Sequence, residues 1–212
     1  MDYSELVSIK DDEIEGIRNW LWITEDEGAW DGPKSDWGPL KQGILDHVTN
    51  FEVVIQAGGN CGMYPRLLSD MFKRVYTFEP DPLNFHCLAH NCQKDNIYKI
   101  NAALGETNKL LSMYRNDMRN VGAHRVSDTK GERFIPTFTI DQLALDRCDY
   151  ISLDCEGYEP NVIAGGMDTI SRFLPVITME TVNEEISMLL NPLGYKNIQG
   201  HFGHADKLFA VK

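Results

Sequence analysis

Three closely spaced glycines and one distant carboxylate carry the first chemical signal in this sequence. The run Ala57-Gly58-Gly59-Asn60-Cys61-Gly62 follows a short β-branched stretch and precedes one with helical spacing, and Glu79 stands 21 positions beyond Gly58. Glycines let a backbone adopt positive φ and pass close to a ligand, and a helix that follows offers unpaired N–H groups. A gap of roughly 20 residues to a carboxylate that grips ribose hydroxyls marks a nucleoside cofactor lying across two adjacent strands. A tight strand-to-helix turn uses glycine for geometry alone, so Glu79 is what turns the pattern towards binding. Ala57-x-Gly59-x-x-Gly62 is one substitution from the dinucleotide fingerprint, which keeps NAD as a competitor. S-adenosylmethionine has no pyrophosphate to cradle and needs ribose, adenine and amino-acid contacts instead.

A second set of residues has acid–base character. Asp154 and Glu156 stand two apart at the end of an apolar run, a spacing that puts both on one side of a strand. Asp154 suits orientation or deprotonation of an acceptor, with Glu156 supporting it; capping of loop N–H groups is the plainer alternative. Glu180 ends a further apolar run and would complete an acidic pocket. Three such carboxylates suit Mg²⁺, but oxygen ligands alone give no diagnostic spacing, and no metal is expected. Between 116 and 133, Arg119, His124, Arg125, Lys130 and Arg133 interrupt an otherwise acidic chain. They read either as a solvated loop or as an insertion whose Arg119 and Arg125 grip an acceptor phosphate or carboxylate. His124 is then an alternative base, because imidazole ordinarily titrates near neutrality. His86 and His90 share a helical face near Cys87 and Cys92 but lack a second ligand pair at zinc spacing, and His201 and His204 flank a turn.

The elements that must position these groups follow from hydrophobic rhythm. Strands are expected at 51–56, 75–79, 97–102, 150–154 and 176–180, with helices at 64–73 and from Pro82 to about Gln93. Segments 109–115 and 134–138 read as an inserted strand pair, and 195–201 with 207–211 as a C-terminal antiparallel hairpin. Alternating strands and helices imply an α/β fold with a mostly parallel sheet covered on both faces, whose ligands bind beyond the carboxyl ends of the strands. Helices are expected at 11–22 and 40–48. All four tryptophans, Trp20, Trp22, Trp30 and Trp37, lie in the first 50 residues. They dock on a core or form an arm over the site, with an indole stacking on a sugar face. Residues 1–50 therefore read as a separate acidic segment before a domain over 51–212.

Composition narrows the partners. The chain has 212 residues, 42% hydrophobic and 25% charged, with a net charge of −12. That balance disfavours a broad nucleic-acid surface. Residues 1–50 hold 12 acidic and 4 basic residues, so the excess is concentrated there. No apolar run reaches the roughly 18 residues of a membrane span, and the N-terminus is polar and acidic rather than signal-like. Five cysteines without CxxC spacing suggest reduced thiols and a cytoplasmic location.

Four motifs in order resemble the FkbM-type S-adenosylmethionine-dependent methyltransferases. Val53-Val54-Ile55-Gln56-Ala57-Gly58-Gly59-Asn60-Cys61-Gly62 resembles their first motif and Tyr76-Thr77-Phe78-Glu79-Pro80-Asp81-Pro82 their second. Asn101-Ala102-Ala103-Leu104-Gly105 is similar to the segment after the third strand, and Asp154-Cys155-Glu156-Gly157-Tyr158-Glu159 to the acidic signature. The resemblance runs from about Phe51 to Glu180; the tryptophan-rich leader lies outside it and is similar to leaders of phage-encoded members. It implies a class I methyltransferase (Rossmann-like) fold with a seven-stranded sheet and O-methylation, often of a sugar or polyketide-derived hydroxyl. By the same resemblance Gly58, Gly59, Asn60 and Gly62 form the cofactor loop, Glu79 takes the ribose, and Asn101 and Ala102 lie near the adenine. Gln56 stands where the family usually has an acidic residue near the cofactor's ammonium, and Ser152 where it usually has lysine. The expectation is an S-adenosylmethionine-dependent O-methyltransferase acting on a small carbohydrate-like or sugar-nucleotide acceptor, with no nucleic-acid or membrane partner. An NAD-dependent oxidoreductase and a silent cofactor-binding or interaction protein are the alternatives.

Overall fold

In a computed structural model, residues 3–115, 119–122, 124–127, 133–200, 202–203 and 207–211 are described. In chain order the elements are β1 (Val7–Lys10), β2 (Trp20–Ile23), α1 (Gly32–His47), β3 (Val53–Ala57), α2 (Met63–Leu68), β4 (Arg74–Phe78) and α3 (Pro82–Asn91). There follow β5 (Ile97–Ile100), β6 (Ala103–Leu104), β7 (Leu110–Arg115), β8 (His124–Ser127), β9 (Arg133–Phe138), β10 (Tyr150–Leu153), α4 (Glu159–Ala164) and α5 (Met167–Phe173). The chain closes with β11 (Val176–Met179), α6 (Glu184–Leu190), β12 (Tyr195–Ile198) and β13 (Lys207–Val211).

The main sheet has seven strands in the order β12-β13-β11-β10-β3-β4-β5. All pairings are parallel except those of β13, which runs against both β11 and β12. β3 and β11 are buried along their whole length, as strands covered on both faces must be. Helices α1, α2 and α3 cover one face through Leu40, Ile44, Leu68 and Leu88, and α4, α5 and α6 cover the other through Val162, Ile163, Ile170 and Ile186. From β3 the chain builds the sheet outwards through β4 and β5, then returns to place β10 on the other side of β3. The order therefore reverses between β3 and β10, and that is where such sheets open a crevice at the carboxyl ends. This is the expected α/β arrangement, with the C-terminal hairpin in place.

The inserted strand pair is present as β7 and β9, antiparallel with Leu111 opposite Ile135. It belongs to a larger device than expected. A four-stranded sheet in the order β6-β9-β7-β8 incorporates His124–Ser127, within a stretch for which a loop was the plainer reading. Ala103, Leu111, Met113 and Ile135 form its own small core.

The helix expected at 11–22 is absent; β1 and β2 pair as a hairpin, with Val7 opposite Ile23 and Lys10 opposite Trp20. Ile14 and Ile17 bridge across a tight turn in which Glu15 and Gly16 take φ of +49° and +79°, and Asn19 just beyond it takes +60°. Left-handed residues in such density end any helix. All four tryptophans are at most 8% exposed and pack in one cluster with Val54, Leu68 and Leu88. Asn91 ties this segment down, its Oδ1 accepting from the Leu21 N–H at 2.8 Å and its Nδ2 donating to the carbonyls of Leu21 and Cys61 at 2.8 and 2.7 Å. Among the described residues, no helix is long and apolar enough to cross a membrane.

Candidate functional site

The glycine loop leaves the sheet at the point of order reversal. The N–H groups of Gly58 and Gly59 both donate to the Phe78 carbonyl, at 3.0 and 2.9 Å, so the loop turns across the end of β4. Gly58 has φ +83°, and a Cβ there would stand 1.9 Å from the Asp154 carbonyl oxygen. Only glycine allows the two strand ends to meet this closely. Gln56 lies beneath the loop, 1% exposed. Its Nε2 donates to the Gly58 carbonyl at 2.7 Å, and its Oε1 accepts from the Thr77 hydroxyl at 2.5 Å.

Glu79 is 4% exposed and braced by the backbone on both oxygens. The Asn60 N–H donates to Oε2 at 2.6 Å and the Asp81 N–H to Oε1 at 2.8 Å. Burial outweighs these two donors and lifts the carboxyl from 4.5 to about 8. Asp81 in turn caps α3, accepting from Leu83 and Asn84 N–H groups at 2.7 and 3.1 Å. Asn84, next in this chain, is 2% exposed and lines the cleft; its Nδ2 donates to the Val121 carbonyl at 2.9 Å, and its Oδ1 has no hydrogen-bond partner among the described residues.

Across the crevice, the Asp154 N–H donates to the Ala57 carbonyl at 3.1 Å, continuing the β3–β10 ladder into the loop. The next residues turn sharply, with φ +53° at Glu156 and +94° at Gly157. Buried Glu159 holds the turn by accepting from the Cys155 N–H at 3.0 Å, and burial raises its carboxyl above the usual range. Asp154, Glu156 and Glu180 bring carboxylate oxygens within 4.8 Å of one another. Burial, then the charge of Glu180, raises Glu156, and Arg125 at 3.7 Å only partly offsets them. This trio is the group among the described residues that could hold a divalent cation, or equally the positive groups of an organic ligand.

Two cavities meet here. A narrow cleft runs along Glu79, Pro80, Asn84, Leu104 and His124; a chamber of about 270 Å³ lies beneath the N-terminal segment, walled by Trp22, Pro33, Asp36, Tyr64 and Glu180. Gly58, Asn60, Gly122, Asp154 and Glu156 line both. Of the residues singled out from sequence, Gly58, Gly59, Asn60, Glu79, His124, Asp154, Glu156 and Glu180 line one or both. Gly62, φ +93°, is the N-cap of α2 behind the loop. Asn101 spends its Nδ2 on the carbonyls of Glu79 and Pro80, and Ala102 is fully buried in the apolar core. Arg119 pairs with Glu27 at 3.3 Å and Arg125 faces Glu156; neither lines the cavities.

The His124 side chain is 6% exposed, with Nδ1 3.4 Å from Asp81 Oδ2. His86 packs against Tyr3 with the rings tilted at 55° and their centroids 5.3 Å apart, and His90 sits beside Asn91. Lys130, His201 and His204 lie outside the described residues.

Sequence reasoning missed the carboxylate that assembles the chamber. Asp26, 8% exposed, accepts from the Trp22 indole at 2.8 Å through Oδ2 and from the Ala29 and Val121 N–H groups at 3.2 Å through Oδ1. It joins the N-terminal segment to residues 119–122, 95 positions away, and no local pattern announces such a contact.

A family model for the methyltransferase FkbM domain matches residues 56–201. The solved structure of methyltransferase FkbM from Methylobacillus flagellatus KT superposes with a TM-score of 0.51 at 18% identity, over 75% of this chain and 43% of that one. The Pyrococcus abyssi tRNA (uracil-54, C5)-methyltransferase, solved with S-adenosyl-L-homocysteine, superposes with a TM-score of 0.50 at 11% identity, over 97% of this chain and 44% of that one. The chain thus spans less than half the length of either, and at these identities the likeness is one of fold. A search of curated proteins finds no match. The family model covers more than two-thirds of the sequence, from the strand before the glycine loop to the C-terminal hairpin, and the chain belongs to the FkbM family of methyltransferases, whose methyl donor is S-adenosylmethionine.

Proposed function

We propose that this protein transfers the methyl group of S-adenosylmethionine to a hydroxyl of a small, carbohydrate-like acceptor. The observation that carries this reading is the meeting of a cleft and a chamber at Gly58 and Asp154, where the strand order reverses. The cofactor supplies an electrophilic methyl on a sulfonium. Gly58, Gly59 and Asn60 let it cross the strand ends, Glu79 takes the ribose, and Ala103 and Leu104 give the base apolar contact. Glu156 and Glu180 face its positive groups. Asp154 orients the acceptor hydroxyl and takes its proton as the new carbon–oxygen bond forms, with alignment contributing much of the rate.

The chamber favours an uncharged acceptor over a sugar nucleotide. Its walls present Asp36, Asp154, Glu156 and Glu180 with no lysine, arginine or histidine among the described lining residues, and half-buried Tyr64 offers a ring face for a sugar. A phosphate there would meet like charge. The overall charge of −12 argues in the same sense against RNA.

Calorimetry with S-adenosylmethionine, S-adenosylhomocysteine and NAD, then turnover on a panel of glycosides, tests the reading. Asp154→Asn is expected to abolish transfer while leaving the dissociation constant for S-adenosylhomocysteine within about threefold, since the amide keeps shape but accepts no proton. Lost cofactor binding would move Asp154 to the cofactor. Near-normal turnover, with His124→Gln inactive, would make His124 the base. Binding of NAD alone would refute the proposal.

A further inference from the structure

Asn84 holds a buried acceptor atom that no described residue of the protein satisfies. The side chain sits in the first turn of α3, 2% exposed, and the Val121 carbonyl can only accept. Nδ2 must therefore be the atom that faces it at 2.9 Å, which fixes the amide's orientation and leaves Oδ1 on the other side. That oxygen is buried and has no partner among the described residues, although buried polar atoms are almost always satisfied. Asn84 lines the same cleft as Glu79.

We propose that Asn84 Oδ1 accepts a hydrogen bond from a ribose hydroxyl of the nucleoside cofactor, sharing the vicinal diol with Glu79; this rests on the cofactor reading above. A nucleoside offers two kinds of donor, the sugar hydroxyls and the exocyclic amino group of adenine. Position favours the sugar. The Asp81 N–H bonds to Glu79 and the Asn84 N–H bonds to Asp81, so buried Asp81 ties together Glu79 and Asn84, which both line the cleft. Each Glu79 oxygen already carries a backbone N–H. A cis-diol presents two donors, and a carboxylate with a neighbouring amide oxygen offers them separate acceptors. The same amide grips Val121, so occupancy of the ribose site also steadies residues 121 and 122 at the cleft wall.

The test is a ligand-and-mutant cycle. Binding of S-adenosylhomocysteine, its 2′-deoxy and 3′-deoxy analogues and its inosine counterpart is measured by calorimetry on the wild-type protein and on Asn84→Ala and Asn84→Ser. One deoxy analogue is expected to bind the wild type at least tenfold more weakly. The variants are expected to lose about tenfold for the parent ligand yet discriminate little against that analogue. A purely structural role through Val121 would weaken all ligands alike, and such additivity overturns the proposal. Coupling to the inosine compound instead assigns the oxygen to adenine and equally overturns it. If neither variant folds, the side-chain amide resonances of Asn84 in the wild type decide, shifting with the parent ligand but not with a dideoxy analogue. Absence of any S-adenosylhomocysteine binding to the wild type would refute the cofactor reading as well, a result distinct from additivity.

Discussion

If the ribose sits on Glu79, as proposed, cofactor binding is expected to be a proton-linked event. In the free protein its carboxyl titrates at about 8, because burial penalises the charge by more than the Asn60 and Asp81 N–H groups repay. Ribose hydroxyls are donors and favour the ionised form, so in the proposed complex Glu79 is expected to be charged where the free protein holds it neutral. At pH 6 binding must then remove a proton against a gap of two pH units, at about 2.7 kcal/mol, or roughly 100-fold in affinity relative to pH above 8. Calorimetry at pH 6 in buffers of different ionisation enthalpy is expected to show release of nearly one proton per S-adenosylhomocysteine bound, and the dissociation constant is expected to fall tenfold per unit towards pH 8. The stability of the free protein moves the other way. A carboxyl raised in the fold is protonated there while its unfolded counterpart is ionised, so this contribution is full below 4.5 and is lost as pH rises to about 8. S-adenosylhomocysteine is expected to cancel that loss. Glu79→Gln removes the slope in both measurements, but one of the two backbone N–H groups then meets an amide NH₂, so its own stability falls by about 1–3 kcal/mol. Affinity that stays flat from pH 6 to 9 with no proton release would refute the placement of the ribose on Glu79.

The other predictions concern the scaffold. Gly58→Ala adds a left-handed penalty of about 1–2 kcal/mol and a Cβ 1.9 Å from the Asp154 carbonyl, so S-adenosylhomocysteine binding is expected to weaken more than tenfold. Unchanged binding would mean the loop does not carry the cofactor. Asp26→Ala strands the Trp22 indole and the backbone N–H groups of Gly28, Ala29 and Val121; a loss of about 3 kcal/mol or more is expected, seen as a Tm drop of roughly 6–12 °C. Deleting residues 1–37 removes four indoles that are at most 8% exposed, so the truncated protein is expected to be insoluble or to bind hydrophobic dyes. A soluble, cooperatively folding product would restore the picture of a detachable arm.

What could be read from the sequence was what local chain geometry dictates. A strand, a glycine turn, a helix and a carboxylate at the end of the next strand form one βαβ unit, whose parts lie within 30 residues and whose spacing is set by the unit itself. The central strands were equally plain, because strands buried on both faces are short apolar runs. The N-terminal hairpin was not. Ile14 and Ile17 satisfy helical spacing as well as they satisfy a bridge across a turn, and the positive φ at Glu15 belongs to a residue type that rarely adopts it. The strand at His124–Ser127 escaped for a related reason. Its pairing partner is Leu110–Arg115, and its basic side chains mimic a solvated loop.

Gln56 shows how register changes the meaning of a residue. From sequence it is a carboxylate lost near the cofactor's ammonium. In the sheet it stands opposite Thr77 on the neighbouring strand, with both buried. The threonine hydroxyl satisfies the amide oxygen, and the amide nitrogen then holds the Gly58 carbonyl. A glutamate in this pose would have no proton to donate to that carbonyl and would bury a charge. The pairing of Gln56 with Thr77 therefore supports the loop from below, while Asp154, Glu156 and Glu180 place negative charge at the crevice from β10 and β11. In the proposed complex the charge expected at the end of β3 is met by Glu156 and Glu180, beyond β10 and β11, a shift that only the strand order makes visible.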